Sequence, residues 1–186
     1  MKSSFPDILI LCGGLGTRLN AVLHNTPKIL APIHNRVFIE YLFKRLSTQN
    51  VARVILCVGH LKDKIYSYIK SYQSPGFEIL FSKEEHPLGT GGAIVNALKQ
   101  VSTDSIVVIN GDSFIDVSLN DLYSFHFEKG ADITLTLHAL ENVSRYGRVM
   151  ISNHHQVTSF EEKKLVKEPG LINAGAYCLN TNILNQ

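Results

Sequence analysis

The sequence predicts an α/β fold: a three-layer, Rossmann-like arrangement with a mixed, mainly parallel sheet and a small antiparallel extension toward the C-terminal end. Three observations predict it. Short apolar runs of strand length alternate with stretches of helical period through most of the chain, as parallel βαβ units do. A glycine-rich loop follows the first apolar run directly. Beyond residue 140 the pattern changes to shorter, irregular strand-like stretches with no helix between them.

The run 8–12 (ILILC) is too short to cross a membrane and suits a fully buried strand. Residues 37–46 (VFIEYLFKRL) carry apolar side chains at helical spacing, and 51–58 (VARVILCV) is a second buried strand ended by Gly59. Residues 61–72 form an amphipathic helix with Leu61, Ile65, Tyr68, Ile69 and Tyr72 on one side. A Ser-Pro-Gly turn at 74–76 leads to a strand at 77–81, and 89–101 is a helix behind a glycine-rich entry. The run 105–110 (SIVVIN) is a fourth strand, 119–127 a helix stopped near Gly130, and 133–140 (ITLTLHAL) an alternating strand. Shorter strands at 145–151, 156–160 and 173–179 complete the chain, and helical character begins again at Thr181.

At 186 residues the chain suits one domain, 1–186, with a sizeable core. A hydrophobic share of 45% with 18% charged residues describes an ordinary globule, and a net charge of +2 gives no reason to expect a nucleic-acid or membrane partner. Cys12, Cys57 and Cys178 each lie in an apolar run without paired Cys or Cys/His spacing. They read as buried free thiols of a reducing cytoplasm, not as zinc ligands. Lys2 and the short run 8–12 do not make a signal peptide. His60, His86, His126, His138, His154 and His155 lack partners at metal or triad spacing and read as surface or core histidines.

Chemistry concentrates after the strands. Gly13, Gly14 and Gly16 let backbone N–H groups approach an anion without Cβ obstruction, Arg18 adds a permanently charged fork, and Lys28 supplies a second cation. A bare turn would need neither cation. The loop is not G-x-G-x-x-G, because Leu19 stands where the third glycine belongs, and no Lys-Ser/Thr pair makes it a Walker A loop. Asp112 ends the strand 105–110 and offers a hard carboxylate to Mg2+, with Asp116 as its nearest competitor and a turn cap as the plain alternative. Glu84 precedes P-L-G-T-G-G. A carboxylate only accepts hydrogen bonds, so it complements the adjacent N1–H and N2 amine of guanine. A shift of one residue would bring Glu85 forward instead.

G-G-L-G-T-R-L at 13–19 with P-K-I-L-A-P at 27–32 resembles the two-part signature of the sugar-1-phosphate nucleotidylyltransferases. The resemblance runs over nearly the whole chain, from residue 8 to about 179. It implies a transfer of a nucleoside monophosphate from an NTP to a sugar 1-phosphate, with release of pyrophosphate. It implies that Leu11, Gly13, Gly14, Gly16, Thr17, Glu84, Pro87, Gly89 and Thr90 face the nucleotide. By the same match Gly147, Glu162 and Asn173 face the sugar and Lys163 its phosphate, while Arg18 and Lys28 serve the triphosphate and Asp112 holds Mg2+. Alone, the F-E-E-K-K cluster at 160–164 would read as a solvated strand end; the upstream motifs favour the sugar reading.

Within the family, P-L-G-T-G-G-A-I, F-E-E-K and N-A-G-A-Y look most like the D-glycero-α-D-manno-heptose 1-phosphate guanylyltransferases. That implies GTP as nucleotide and GDP-heptose for a bacterial surface polysaccharide as product. Mannose 1-phosphate guanylyltransferases and N-acetylmuramate 1-phosphate uridylyltransferases are the next resemblances. One departure stands: family members usually continue past the N-A-G strand and carry a second metal-binding Asp there, which these 186 residues lack. Two expectations follow: either the chain is a truncated product, or the metal relies on Asp112, phosphates and water. A catalytically weak nucleotide-sugar binding protein is the alternative of another class.

Overall fold

The computed structural model describes residues 5–14, 25–73, 75–163 and 167–184. The chain opens with β1 (Asp7–Leu11), and after the signature loop come a single 3-10 turn (Lys28–Leu30) and a two-stranded hairpin, β2 (Pro32–Ile33) with β3 (Arg36–Val37). Then follow α1 (Phe38–Leu46), β4 (Arg53–Val58), α2 (Lys62–Ser71), β5 (Glu78–Lys83) and α3 (Gly89–Ala97). β6 (Ser105–Asn110) and α4 (Leu119–Lys129) end the parallel part. β7 (Ile133–Leu140), β8 (Arg148–Ile151), β9 (Val157–Glu161) and β10 (Gly170–Asn180) form the antiparallel part.

β5, β4, β1 and β6 lie side by side and parallel. β1 is flanked by β4 on one side and β6 on the other, so the chain leaves it first one way and later the other. A crevice opens at the carboxyl ends of strands where the order reverses in this manner. β10 then joins the two halves: it runs antiparallel to β6 through Ala176–Asn180, to β7 along most of its length and to β8 through Leu171 and Ile172. Its pairing with β7 shifts register between Asn173 and Tyr177.

Alternate residues of a strand point to opposite faces, and both faces here are apolar. Ile8, Ile10, Val54 and Leu56 meet Ile39 and Phe43 of α1, Ile65 of α2 and Leu122 of α4. Leu9, Ile55, Ile106 and Val108 meet Ala93, Ile94 and Ala97 of α3. The three layers are therefore real, and the predicted α/β class with its antiparallel extension is what the chain adopts. Differences are local. The predicted helix 89–101 ends at Ala97 and tightens into a 3-10 turn, Leu98–Gln100. The last strand begins at Gly170, ahead of the expected 173. Ser118 caps α4 by accepting from the Asp121 N–H at 3.2 Å, and Gly130 ends it in the left-handed conformation at φ +54°. Among the described residues no helix is long and apolar enough to cross a membrane.

Candidate active site

A cavity of about 370 Å³ lies at the carboxyl ends of β1, β5 and β6. Its floor is the end of β1 and the start of the signature loop. Cys12 N–H donates to the Cys57 carbonyl at 3.0 Å, which carries the β1–β4 pairing one residue past the strand. Gly111 N–H donates to the Leu11 carbonyl at 2.9 Å, and a Cβ on Gly111 would come within 2.6 Å of that oxygen. Only glycine lets β6 turn so close to β1.

Leu11, Gly13, Gly14, Lys28, Glu84, Pro87, Gly89, Thr90 and Asp112, all predicted from sequence, line this one cavity. Gly16, Thr17 and Arg18 lie outside the described residues. Glu84 is 8% exposed; its Oε2 accepts from the Leu88 N–H at 3.3 Å, which folds the loop into α3. A Cβ on Gly13 would stand 2.6 Å from Glu84 Oε1, so the glycine makes room for the carboxylate. Glu85 is exposed and pairs with Lys62 at 3.6 Å. Of the two neighbouring glutamates, Glu84 is the one on the cavity wall. Gly89 (φ +70°) starts α3, whose first turn carries no acidic side chain and borders the cavity through Thr90. Free N–H groups at such a helix start favour an anion.

Lys28 Nζ donates to Asp112 Oδ2 at 3.0 Å, so the predicted cation and the predicted metal carboxylate meet across 84 residues of sequence. Asp116, the alternative carboxylate, is 83% exposed, faces Arg45 at 2.9 Å and does not line the cavity. Asp112 offers one carboxylate, its Oδ2 facing Lys28 and its Oδ1 accepting from Ser113 Oγ at 3.3 Å, and no group of three His, Cys, Asp or Glu side chains gathers among the described residues. A lone carboxylate fits a hard divalent cation that takes its other ligands from phosphates and water. Cys12 also lines the cavity, yet its Sγ–H donates to the Cys57 carbonyl at 3.1 Å. Burial above all, then the neighbouring Cys57 and Glu84, push its thiol well above the ordinary value. It is a wall, not a nucleophile.

A second cavity, of about 290 Å³, lies on the antiparallel side and is lined by Gly147, Glu162 and Asn173 together with Tyr146, Phe160 and Glu161. The three predicted sugar-side residues thus come together. Asn173 is fixed from both ends of its amide: Oδ1 accepts from the Gly175 N–H at 2.9 Å and Nδ2 donates to Tyr177 Oη at 2.9 Å. Gly175 (φ +87°) lies against Asn110, where a Cβ would fall 2.6 Å from Nδ2. Asn110 lines the first cavity, so this contact sets β10 against a residue of its wall. Lys163 is exposed and lines neither cavity. The sequence reading left the cavity-lining Asn110 and Gly111 without roles, although they precede Asp112 directly. It likewise gave none to the aromatic wall of Tyr146 (48% exposed) and Phe160 (65%). The available signal was position: Tyr146 directly precedes Gly147, and Phe160 directly precedes Glu161 and Glu162.

The family model described as nucleotidyl transferase matches residues 8–186. The D-glycero-alpha-D-manno-heptose 1-phosphate guanylyltransferase of Campylobacter jejuni is 41% identical over 177 residues, covering 95% of this chain and 77% of that one. The protein of the same name from Aneurinibacillus thermoaerophilus is 39% identical, covering 95% and 76%. The crystal structure of HddC from Yersinia pseudotuberculosis complexed with GMP-PN superposes with a TM-score of 0.86 at 34% identity, covering 97% of this chain and 79% of that one. With Gly13, Gly14 and Lys28 of the signature gathered with Glu84 and Asp112 around one strand-end cavity and a match over nearly its whole length, this chain belongs to the nucleotidyl transferase family.

Proposed function

We propose that the chain transfers GMP from GTP to a sugar 1-phosphate, D-glycero-α-D-manno-heptose 1-phosphate, giving GDP-heptose and pyrophosphate. One observation carries the choice of nucleotide: the buried Glu84 carboxylate on the wall of the strand-end cavity. Its Oε2 spends one acceptor position on Leu88, and the remaining lone pairs can take N1–H and N2–H of guanine together. Uracil or thymine would set a carbonyl against the same carboxylate. Two similar proteins bearing the heptose guanylyltransferase name support the sugar. The Gly147, Glu162 and Asn173 cavity supplies acceptors and an aromatic wall suited to a polyhydroxylated ring.

The reaction needs no covalent enzyme intermediate. A phosphate oxygen of the sugar 1-phosphate attacks the α-phosphorus of GTP in line, the bond to the bridging oxygen breaks, and pyrophosphate leaves on the opposite side. Positioning and charge neutralisation supply the acceleration. Lys28 balances charge at the α-phosphate, Arg18 serves the departing pyrophosphate, and Lys163 steers the incoming sugar phosphate. Asp112 would hold Mg2+, which supplies further charge neutralisation on the phosphates when bound. A reaction fed by GTP fits the cytoplasm.

The test is Mg2+-dependent pyrophosphate release by the 186-residue chain, with heptose 1-phosphate or mannose 1-phosphate and each NTP in turn. Release with GTP and heptose 1-phosphate is expected. Release with UTP or dTTP instead would overturn the role of Glu84, and preference for mannose 1-phosphate would replace the sugar. Nucleotide binding with no release from any pair would favour a binding protein over an enzyme of this specificity.

A further inference from the structure

The segment between β6 and α4, residues 111–118, carries Asp112 and has no regular structure. Its first end is tied to β1 through the Gly111 N–H. Its far end is tied to α1. Arg45 Nη2 donates to the Val117 carbonyl at 3.1 Å and faces Asp116 Oδ1 at 2.9 Å, while Gln49 Oε1 accepts from the Leu119 N–H at 2.6 Å. Packing and polar anchors both hold this segment. Ile115 and Val117 pack against the core and Leu119 is buried in it, with a cleft of about 20 Å³ left between them and α1, and the Arg45 Nε on its wall is buried without a partner among the described residues.

The same helix also holds the other half of the Lys28–Asp112 pair. Phe38 N–H, at the start of α1, donates to the Ala31 carbonyl at 2.9 Å, and Tyr41 Oη donates to the Ile33 carbonyl at 3.1 Å. Both acceptors lie within five residues of Lys28. One rigid element therefore sets where the cation stands and where the carboxylate stands.

We propose that Arg45 is a positioning residue for the metal-binding arm, fixing through Val117 and Asp116 the segment from which Asp112 reaches the cavity. The proposal rests on Asp112 being the metal ligand, as in the function proposed above. Arg45 touches neither nucleotide cavity nor Asp112; it acts through the backbone.

The experiment is GTP binding by calorimetry in EDTA and in excess Mg2+, without sugar phosphate, alongside the thermal midpoint of each variant. Mg2+ should raise wild-type affinity about tenfold, a usual size for coupled ligands, and Asp112→Asn should abolish the gain. Arg45→Met should bind GTP normally in EDTA yet keep less than about a third of that Mg2+ gain. Arg45→Lys, which retains a cation able to reach one of the two acceptors, should recover part of it. Asp116→Ala, at an 83% exposed position that folding does not need, should lose a smaller part. Full Mg2+ gain in Arg45→Met and Asp116→Ala, whatever their thermal midpoints, would overturn the proposal while leaving the proposed function standing. Should Arg45→Met not fold, Arg45→Lys and Asp116→Ala decide by the same criterion. Full gain in Asp112→Asn would overturn the positioning role and the metal assignment together.

Discussion

Glu84 and Glu85 are neighbours in sequence and opposites in environment, one 8% exposed on the cavity wall, the other on the surface beside Lys62. The sequence left either one open, since a shift of one residue would bring Glu85 forward. The structure decides it: Ser82 and Glu84 are buried while Lys83 and Glu85 are exposed, a period of two that runs past the end of β5. Replacing Glu84 by Gln should narrow the preference for GTP over UTP by about 10- to 100-fold, the worth of a good bidentate pair to a base. Competition between the two nucleotides measures it, and an unchanged ratio would remove Glu84 as base reader. Lys28→Met should lower turnover about 10²- to 10³-fold with the melting temperature held, since Lys28 is a partly exposed partner in one ion pair. Near-normal turnover would dismiss its assigned role. Asp112 against Asp116 was less legible. What removes Asp116 from the cavity is Arg45, whose contact with Val117 spans 72 residues of sequence, and no local pattern announces it.

Among elements, the strands and helices of the parallel half could be read because each carries a period over many residues. The hairpin at 32–37 could not, since two-residue strands have no period to detect. The early start of β10 was hidden by Pro169 and Gly170, which resemble a break. The glycine that lets β6 turn against β1 gives this scale its test. Gly111→Ala would set a methyl 2.6 Å from the Leu11 carbonyl and should cost about 1–3 kcal/mol, the range of an overpacked core. Urea denaturation reads it, and full wild-type stability would mean the two strand ends have slack that their geometry denies. Gly14→Ala, with nothing among the described residues within 4 Å of the added atom, is the matched control and should leave stability nearly unchanged.

For the whole molecule, order along the chain told which motifs existed, and the reversal of strand order at β1 explains why they converge. The apolar runs foresaw buried thiols at Cys57 and Cys178, whereas Cys12 is half-buried on the cavity wall. Burial, with Glu84 as the lesser cause, raises Cys57 from 9.0 to about 12; burial raises Cys178 to about 12 as well. In the unfolded chain these groups lose their protons from the ordinary value upward, while the folded chain keeps them. Stability is thus full below pH 9 and falls as pH rises from 9 toward about 12. Urea midpoints at pH 8 and at pH 10 or above should show the decline, and a midpoint that holds would mean the thiols are not sealed in the core. The same burial should keep a neutral alkylating reagent from labelling Cys57 and Cys178 until the chain unfolds.

β10 has a consequence for engineering. Its C-terminal residues belong to β6 and the nucleotide half, its first residues to β8, and the irregularity between Asn173 and Tyr177 lets the two registers differ. Deleting one residue there would turn every side chain on one flank to the wrong face. The β8–β9 turn around His154 is exposed, and His155 meets Phe125 of α4 edge-on at 6.1 Å. The sugar-side cavity lies at the other end of that hairpin, at Gly147 and Glu161–Glu162, so a library meant to recruit new sugars should vary that end and leave the pairing of β10 with β6 intact.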